Sequence, residues 1–117
     1  MILSKAPVRL SMGGGGTDLA SYYREYGGFL LATSINKFVY ILLNRRFEDN
    51  FRLSYSKTEI INTVEEIEHP IFRESIKYVG IEGKVEIVSV SDVPSNCGLG
   101  TSSTFTVALL NALYAYR

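Results

Sequence analysis

Tryptophan is absent from the 117 residues, and cysteine and histidine occur once each, as Cys97 and His69. A single cysteine excludes an intramolecular disulfide framework and a cysteine-based zinc site. A single histidine lacks the partners of a catalytic triad or a metal cluster, so His69 reads as a turn or helix-start residue. Charge of one sign is also missing, since 12 Lys and Arg balance 12 Asp and Glu. No overall field therefore draws the chain to nucleic acid or to an anionic membrane. Long apolar runs are lacking as well. The longest, Phe29 to Leu43, is interrupted by Asn36 and Lys37 and is too short to span a bilayer. The N-terminus carries no signal-peptide apolar core. These absences lead to the expectation of one compact domain over residues 1–117, soluble and cytoplasmic, in a reducing compartment.

What is present is patterned. Residues 2–12 alternate loosely and predict an extended segment, with Pro7 placing part of it at a sheet edge or strand start. Gly13-Gly14-Gly15-Gly16 follows, then Thr17-Asp18, either of which can cap a short helix reaching Tyr26 and ended by Gly27-Gly28. Four glycines between two patterned elements suit a tight loop that brings backbone N–H groups near a ligand. Residues 29–35 and 37–46 predict two strands joined near Asn36, and Phe51 to Tyr55 a returning strand after a polar turn. Residues 57–68 are ambiguous, with Glu65, Glu66 and Glu68 on a solvated face. Pro70 fits the first turn of a helix running to about Val79, with Gly80 just past its end.

The stretch around which these elements are organised is Asp92-Val93-Pro94-Ser95-Asn96-Cys97-Gly98-Leu99-Gly100-Thr101-Ser102-Ser103. An alternating strand, Lys84 to Asp92, leads into it. A helix with an apolar stripe at Phe105, Ala108, Leu109, Ala112, Leu113 and Tyr116 leads out. A helix start exposes unpaired N–H groups and a partial positive charge, which favour an anion. Glycines at 98 and 100 let the backbone approach it closely. Thr101, Ser102 and Ser103 can cap the helix, donate to a phosphate oxygen or offer an oxygen to Mg²⁺. The stretch is not a Walker A loop, because no lysine accompanies it. A plain strand–turn–helix joint would use the same residue types.

The longer string Pro94-x3-Gly98-Leu99-Gly100-Thr101-Ser102-Ser103 resembles the ATP-phosphate loop of the GHMP small-molecule kinases, with Thr101 where Ser is usual. Ala6-Pro7-Val8-Arg9 followed by Gly14-Gly15-Gly16-Thr17-Asp18 resembles the first motif of the same superfamily. Gly15 and Gly16 stand where galactokinases carry Glu and His. Together with Tyr26-Gly27-Gly28 and Leu31 to Asn36, the pattern looks most like the heptose 7-phosphate kinases; fucokinase-like sugar kinases share much of it.

The resemblance implies an α+β fold, the N-terminal part of a GHMP kinase, with an antiparallel or mixed sheet and helices packed on one face. It implies that Pro94, Gly98, Leu99, Gly100, Thr101, Ser102 and Ser103 bind ATP, with Ser102 as Mg²⁺ ligand. Arg9 would be catalytic, near the reacting hydroxyl, and Gly14, Gly15, Gly16, Thr17 and Asp18 would bind a sugar phosphate. The family's further Mg²⁺-binding glutamate, base aspartate and third Gly-rich motif have no counterpart among these residues, so the chain reads as a piece whose C-terminal half lies elsewhere. A non-catalytic sugar- and nucleotide-binding module, and a structural domain whose loops only cap helices, are the alternatives.

Overall fold

The computed structural model describes all residues, Met1–Arg117. Five strands and three α-helices follow one another as β1 (Ile2–Gly13), α1 (Ala20–Tyr26), β2 (Leu31–Arg45), β3 (Phe51–Ser54), β4 (Thr58–Ile61), α2 (Pro70–Val79), β5 (Val85–Ser91) and α3 (Thr101–Tyr116). A short 3₁₀ turn, Val64–Glu66, precedes α2. The strands form one mixed sheet in the order β1-β2-β5-β3-β4. All neighbours are antiparallel except β3 and β5, which are parallel and joined through β4 and α2.

The period-2 pattern of the strands decides which face is covered. Val39, Ile41 and Leu43 of β2, Val85 and Ile87 of β5, and Phe51 and Leu53 of β3 are all buried. Against that face α2 brings Phe72, Ile76 and Val79, and α3 brings Ala108, Leu109, Ala112 and Leu113. Each fully buried Leu, Ile or Phe contributes about 1.5–3 kcal/mol. The two alanines let α3 lie close over β1 and β2. Pro70 opens α2 and Gly80 closes it in the left-handed region (φ 76°), its N–H bonded to the Ile76 and Lys77 carbonyls, as the sequence predicts.

Three expectations need correction. β2 is one strand of 15 residues, not two joined near Asn36. The polar pair marks an irregularity: the register jumps from Pro7 opposite Phe38 to Arg9 opposite Ser34, so residues 35–37 bulge against Val8 alone. β3 does not return along β2, because β5 lies between them. Neither Thr17 nor Asp18 caps α1, whose N-cap is Leu19 with no side-chain cap bond; Gly27 ends the helix as expected.

Candidate functional site

The stretch after β5 is fastened at both ends. At its start, the Asp92 N–H donates to the Phe38 carbonyl (2.9 Å), and Asp92 Oδ2 accepts the Phe38 N–H (2.9 Å). At its finish, the Arg9 N–H of β1 donates to the Leu99 carbonyl (3.2 Å). Between these ties Asn96, Gly98 and Gly100 take φ of 61°, 75° and 66°. The left-handed region is open to glycine and tolerable for asparagine, which is why the chain can coil here.

Gly100 is the N-cap of α3 and no side chain caps the helix; the capping role considered for Thr101, Ser102 and Ser103 is therefore not used. The first turn closes with the Thr104 N–H and hydroxyl on the Gly100 carbonyl, both at 3.0 Å. That leaves the amides of Thr101, Ser102 and Ser103 without helical partners. The Ser102 and Ser103 side chains are exposed, so amides and hydroxyls together form a set of donors ready for an anion. Arg9 is drawn to the same place. A Cβ added at Gly100 would lie 3.1 Å from Arg9 Nε and 3.3 Å from its Cγ, so the arginine side chain lies across the loop.

Beside the loop runs a groove of about 400 Å³ whose polar rim includes Ser95, Asn96 and Ser102 and whose apolar wall includes Tyr55, His69 and Phe105. The wall is an aromatic cluster. The His69 ring meets Tyr55 edge-on at 5.0 Å and Phe72 at 5.2 Å, and Phe105 meets Phe72 edge-on at 5.0 Å. The buried Glu59 steadies Tyr55 by accepting a hydrogen bond from its hydroxyl, and also accepts the Glu68 N–H at 2.9 Å. Desolvation and the Glu59 carboxylate push the Tyr55 phenol up to about 12. Desolvation pushes the Glu59 carboxyl up, but the Tyr55 hydroxyl, the Glu68 amide and the Lys57 charge together bring it below its ordinary value.

His69 is the N-cap residue of α2, as its position before Pro70 suggests, but without a side-chain cap bond. Its Nδ1 is buried and unpartnered. Burial lowers its pKa below 6.5, partly offset by the Glu59 carboxylate. The folded state thus favours neutral His69, and the unfolded chain binds the proton first. Stability should be level above about pH 6.5 and fall as the pH drops from 6.5 towards 5. Thermal melts across that window should show the decline in the parent and a flatter profile in His69→Phe; equal slopes would remove His69 as the cause.

A second hollow, about 430 Å³, is lined by Thr17, Asp18, Tyr23, Gly28, Phe29 and Leu30. Thr17 builds it. Its N–H bonds the Gly14 carbonyl (3.0 Å), and its Oγ1 lies 2.8 Å from the same carbonyl and 2.9 Å from that of Phe29. Oγ1 also accepts the Phe29 N–H at 3.1 Å. The Thr17 hydroxyl is thus spent on closing the loop, while the exposed Asp18 carboxylate has no hydrogen bond or ion pair within the chain. Gly14 and Gly28 are wedged against backbone, whereas Gly15 and Gly16 are open.

The structure therefore brings Arg9 to the loop at 98–103 and gathers Thr17 and Asp18 in a separate hollow, with β1 running from one to the other. Gly13 is four residues beyond Arg9, about 13 Å along a strand. Sequence reasoning missed Tyr55, Glu59 and the groove role of His69. Only tertiary packing brings β3, β4 and α2 beside the loop, and no local pattern announces it. No group of three His, Cys, Asp or Glu is placed to hold a metal, and no helix is long and apolar enough to cross a membrane.

Comparison with known proteins gives concordant results. A family model described as GHMP kinases N terminal domain matches residues 62–117. A D-glycero-alpha-D-manno-heptose 7-phosphate kinase of Campylobacter jejuni is 30% identical, the match covering 95% of this chain and 36% of that protein. The crystal structure of a D-glycero-D-manno-heptose 1-phosphate kinase from B. thetaiotaomicron superposes with a TM-score of 0.85 at 27% identity, covering 99% of this chain and 42% of that one. The mevalonate kinase of Methanococcus jannaschii shares the fold, with a TM-score of 0.77 at 20% identity over 98% of this chain and 40% of its own. The chain spans little more than a third of the curated relative that it matches.

Proposed function

From a chain with the N-terminal fold and phosphate-loop half of a GHMP-superfamily kinase, we propose an ATP-dependent sugar-phosphate kinase whose nucleotide lies along the loop at 94–103. The observation that carries this reading is the uncapped start of α3, with free amides at 101–103, free hydroxyls at 102 and 103, and Arg9 laid across Gly100.

Each part has a chemical use. Phosphoryl transfer needs mainly positioning and charge stabilisation. The amides and Ser/Thr hydroxyls hold the phosphate oxygens, and the Arg9 guanidinium, a fixed charge, stabilises the transferring phosphoryl group. The aromatic wall of Tyr55, His69 and Phe105 offers flat apolar surface for the adenine ring. Mg²⁺ would sit as a companion of the phosphates, with one oxygen from the exposed, unpartnered Ser102 hydroxyl. When bound, the ion would neutralise phosphate charge. The exposed Asp18 carboxylate, in the lining of the hollow, would accept hydrogen bonds from sugar hydroxyls; beside ATP phosphates it would repel them.

Within this reading the substrate is D-glycero-D-manno-heptose 7-phosphate and the acceptor its anomeric hydroxyl. The 30% identical relative named as a heptose 7-phosphate kinase supports this choice, as does the Gly-Gly-Gly-Thr-Asp string. Phosphorus NMR of full-length enzyme with Mg·ATP and the heptose phosphate should show a new anomeric phosphate alongside ADP. Turnover of fucose or galactose in its place would overturn the sugar assignment, and ATP binding without turnover of any sugar would favour a sensing module.

Asp18→Asn tests the acceptor side. Charge-assisted hydrogen bonds contribute ~1.5–3 kcal/mol each, so kcat/KM for the sugar should fall roughly ten- to a hundredfold. ATP affinity should hardly move. Asp18 caps no helix, so the thermal midpoint should hold as well. Sugar binding unchanged by calorimetry would remove Asp18 from the substrate site.

A further inference from the structure

The tie at the start of the loop carries a role that no binding motif assigns. Asp92 Oδ2 lies 2.9 Å from the Phe38 amide nitrogen and 3.4 Å from the Tyr40 hydroxyl. With the Asp92 N–H on the Phe38 carbonyl, Asp92 holds both backbone groups of Phe38, a residue beside the β2 bulge and opposite Pro7. At the other end of the loop, Leu99 is held by Arg9 of β1. The segment 92–99 thus spans from β2 to β1 over the bulged part of the hairpin.

Inside that span Asn96 and Gly98 have positive φ. Just before it, the Ser91 hydroxyl donates to the Val93 carbonyl at 2.8 Å and accepts the Val93 N–H at 3.3 Å, and no side chain within 92–99 bonds to another residue of the segment. A loop with so few bonds of its own takes its shape from its anchors. The carboxylate is itself exposed, so its removal opens no cavity and the core does not depend on it. Desolvation, with the nearby Asp92 charge, raises the Tyr40 phenol above 10, in keeping with a phenol that keeps its proton for Asp92.

We propose that Asp92 is a positioning residue for the nucleotide, fixing the start of the phosphate loop on β2 so that the donors at 101–103 are set before ATP arrives. Asp92 touches no phosphate in this arrangement; it acts through the loop. The proposal rests on the nucleotide reading above.

The variants separate positioning from mere structure. Asp92→Ala removes the acceptor, whereas Asp92→Asn keeps a carbonyl oxygen for the Phe38 N–H and serves as the rescue. In full-length enzyme, Asp92→Ala should raise the Kd and KM for Mg·ATP about tenfold, equivalent to about 1.4 kcal/mol. The KM for the sugar and the thermal midpoint should stay near the parent's. Hydrogen exchange of the Phe38 amide and of residues 98–103 should quicken together. Asp92→Asn should return ATP affinity to within about threefold of the parent. If Asp92→Ala fails to fold, Tyr40→Phe takes its place, with an expected two- to threefold loss of ATP affinity and no change for the sugar. Parent-like ATP affinity in a folded Asp92→Ala, or in Tyr40→Phe when it stands in, overturns the inference while leaving the nucleotide site intact. A thermal loss with no change in ATP affinity does the same. A parent that binds no ATP overturns the nucleotide reading and this inference with it.

Discussion

Ser102→Ala should lower kcat by roughly 10²–10³ while leaving the thermal midpoint almost where it was. The rate loss is what removal of one preorganised donor or ligand at a transferring phosphoryl group costs. The unchanged stability follows from the structure. A hydroxyl that caps a helix is worth about 1 kcal/mol, but α3 has no side-chain cap and Ser102 is exposed at its second position. Replacement of an exposed side chain with no partner stays within about 0.5 kcal/mol. Steady-state kinetics beside a thermal melt decides the matter. A variant with parental kcat would return the loop to an ordinary strand–helix joint.

Gly14→Ala should be the most damaging single methyl group in the chain. Gly14 has φ of 81°, and a Cβ there would stand 1.9 Å from the Phe29 carbonyl oxygen. That oxygen is backbone and is held by Thr17, so it cannot simply swing aside. The left-handed backbone costs an alanine about 1–2 kcal/mol and the forced shift a further 1–3. A total of roughly 3 kcal/mol should lower the thermal midpoint by about 10 °C. In the proposed reaction, sugar kcat/KM should fall well beyond what ATP affinity loses, because the Thr17–Phe29 clasp shapes the Asp18 hollow. Gly15→Ala and Gly16→Ala supply the contrast. Gly15 would gain only an ordinary contact, 3.5 Å from Ser11 Oγ, and Gly16 meets nothing within 4 Å. Both variants should melt like the parent. Equal destabilisation by all three would mean that the run acts only through its flexibility.

The parts legible in the sequence were those whose causes are local. Pro70 and Gly80 bracket α2 because one fits a helix start and the other relieves its end. The stripe from Phe105 to Tyr116 announces the face of α3 that meets the sheet, and Gly98 and Gly100 announce a coiled backbone. What was misread depended on partners distant in sequence. Asn36 and Lys37 resemble a turn, yet β2 runs on through them as one strand, its surplus residues bulging against Val8 of β1. The Thr17-Asp18 pair has the composition of a cap, but Phe29 competes successfully for the Thr17 hydroxyl. Glu59 goes unmarked in the ambiguous stretch 57–68, because its burial depends on the Tyr55 hydroxyl and the Glu68 amide. The order of the sheet, with β5 inserted between β2 and β3, is a property of tertiary packing that no short window contains.

Strand β1 holds Arg9 against the loop at 98–103 at one point and delivers the chain to Gly14 a few residues later. Its length is therefore a ruler, and rulers fail differently from surfaces. Side chains between Arg9 and Gly13 are exposed and can be exchanged with little consequence for the spacing. One inserted or deleted residue there would shift everything beyond it by about 3.3 Å and turn each following side chain to the opposite face. This short stretch should consequently accept a wide range of substitutions in a mutational scan while rejecting single-residue changes in length. That tolerance pattern would mark a segment valued for its span rather than for its chemistry.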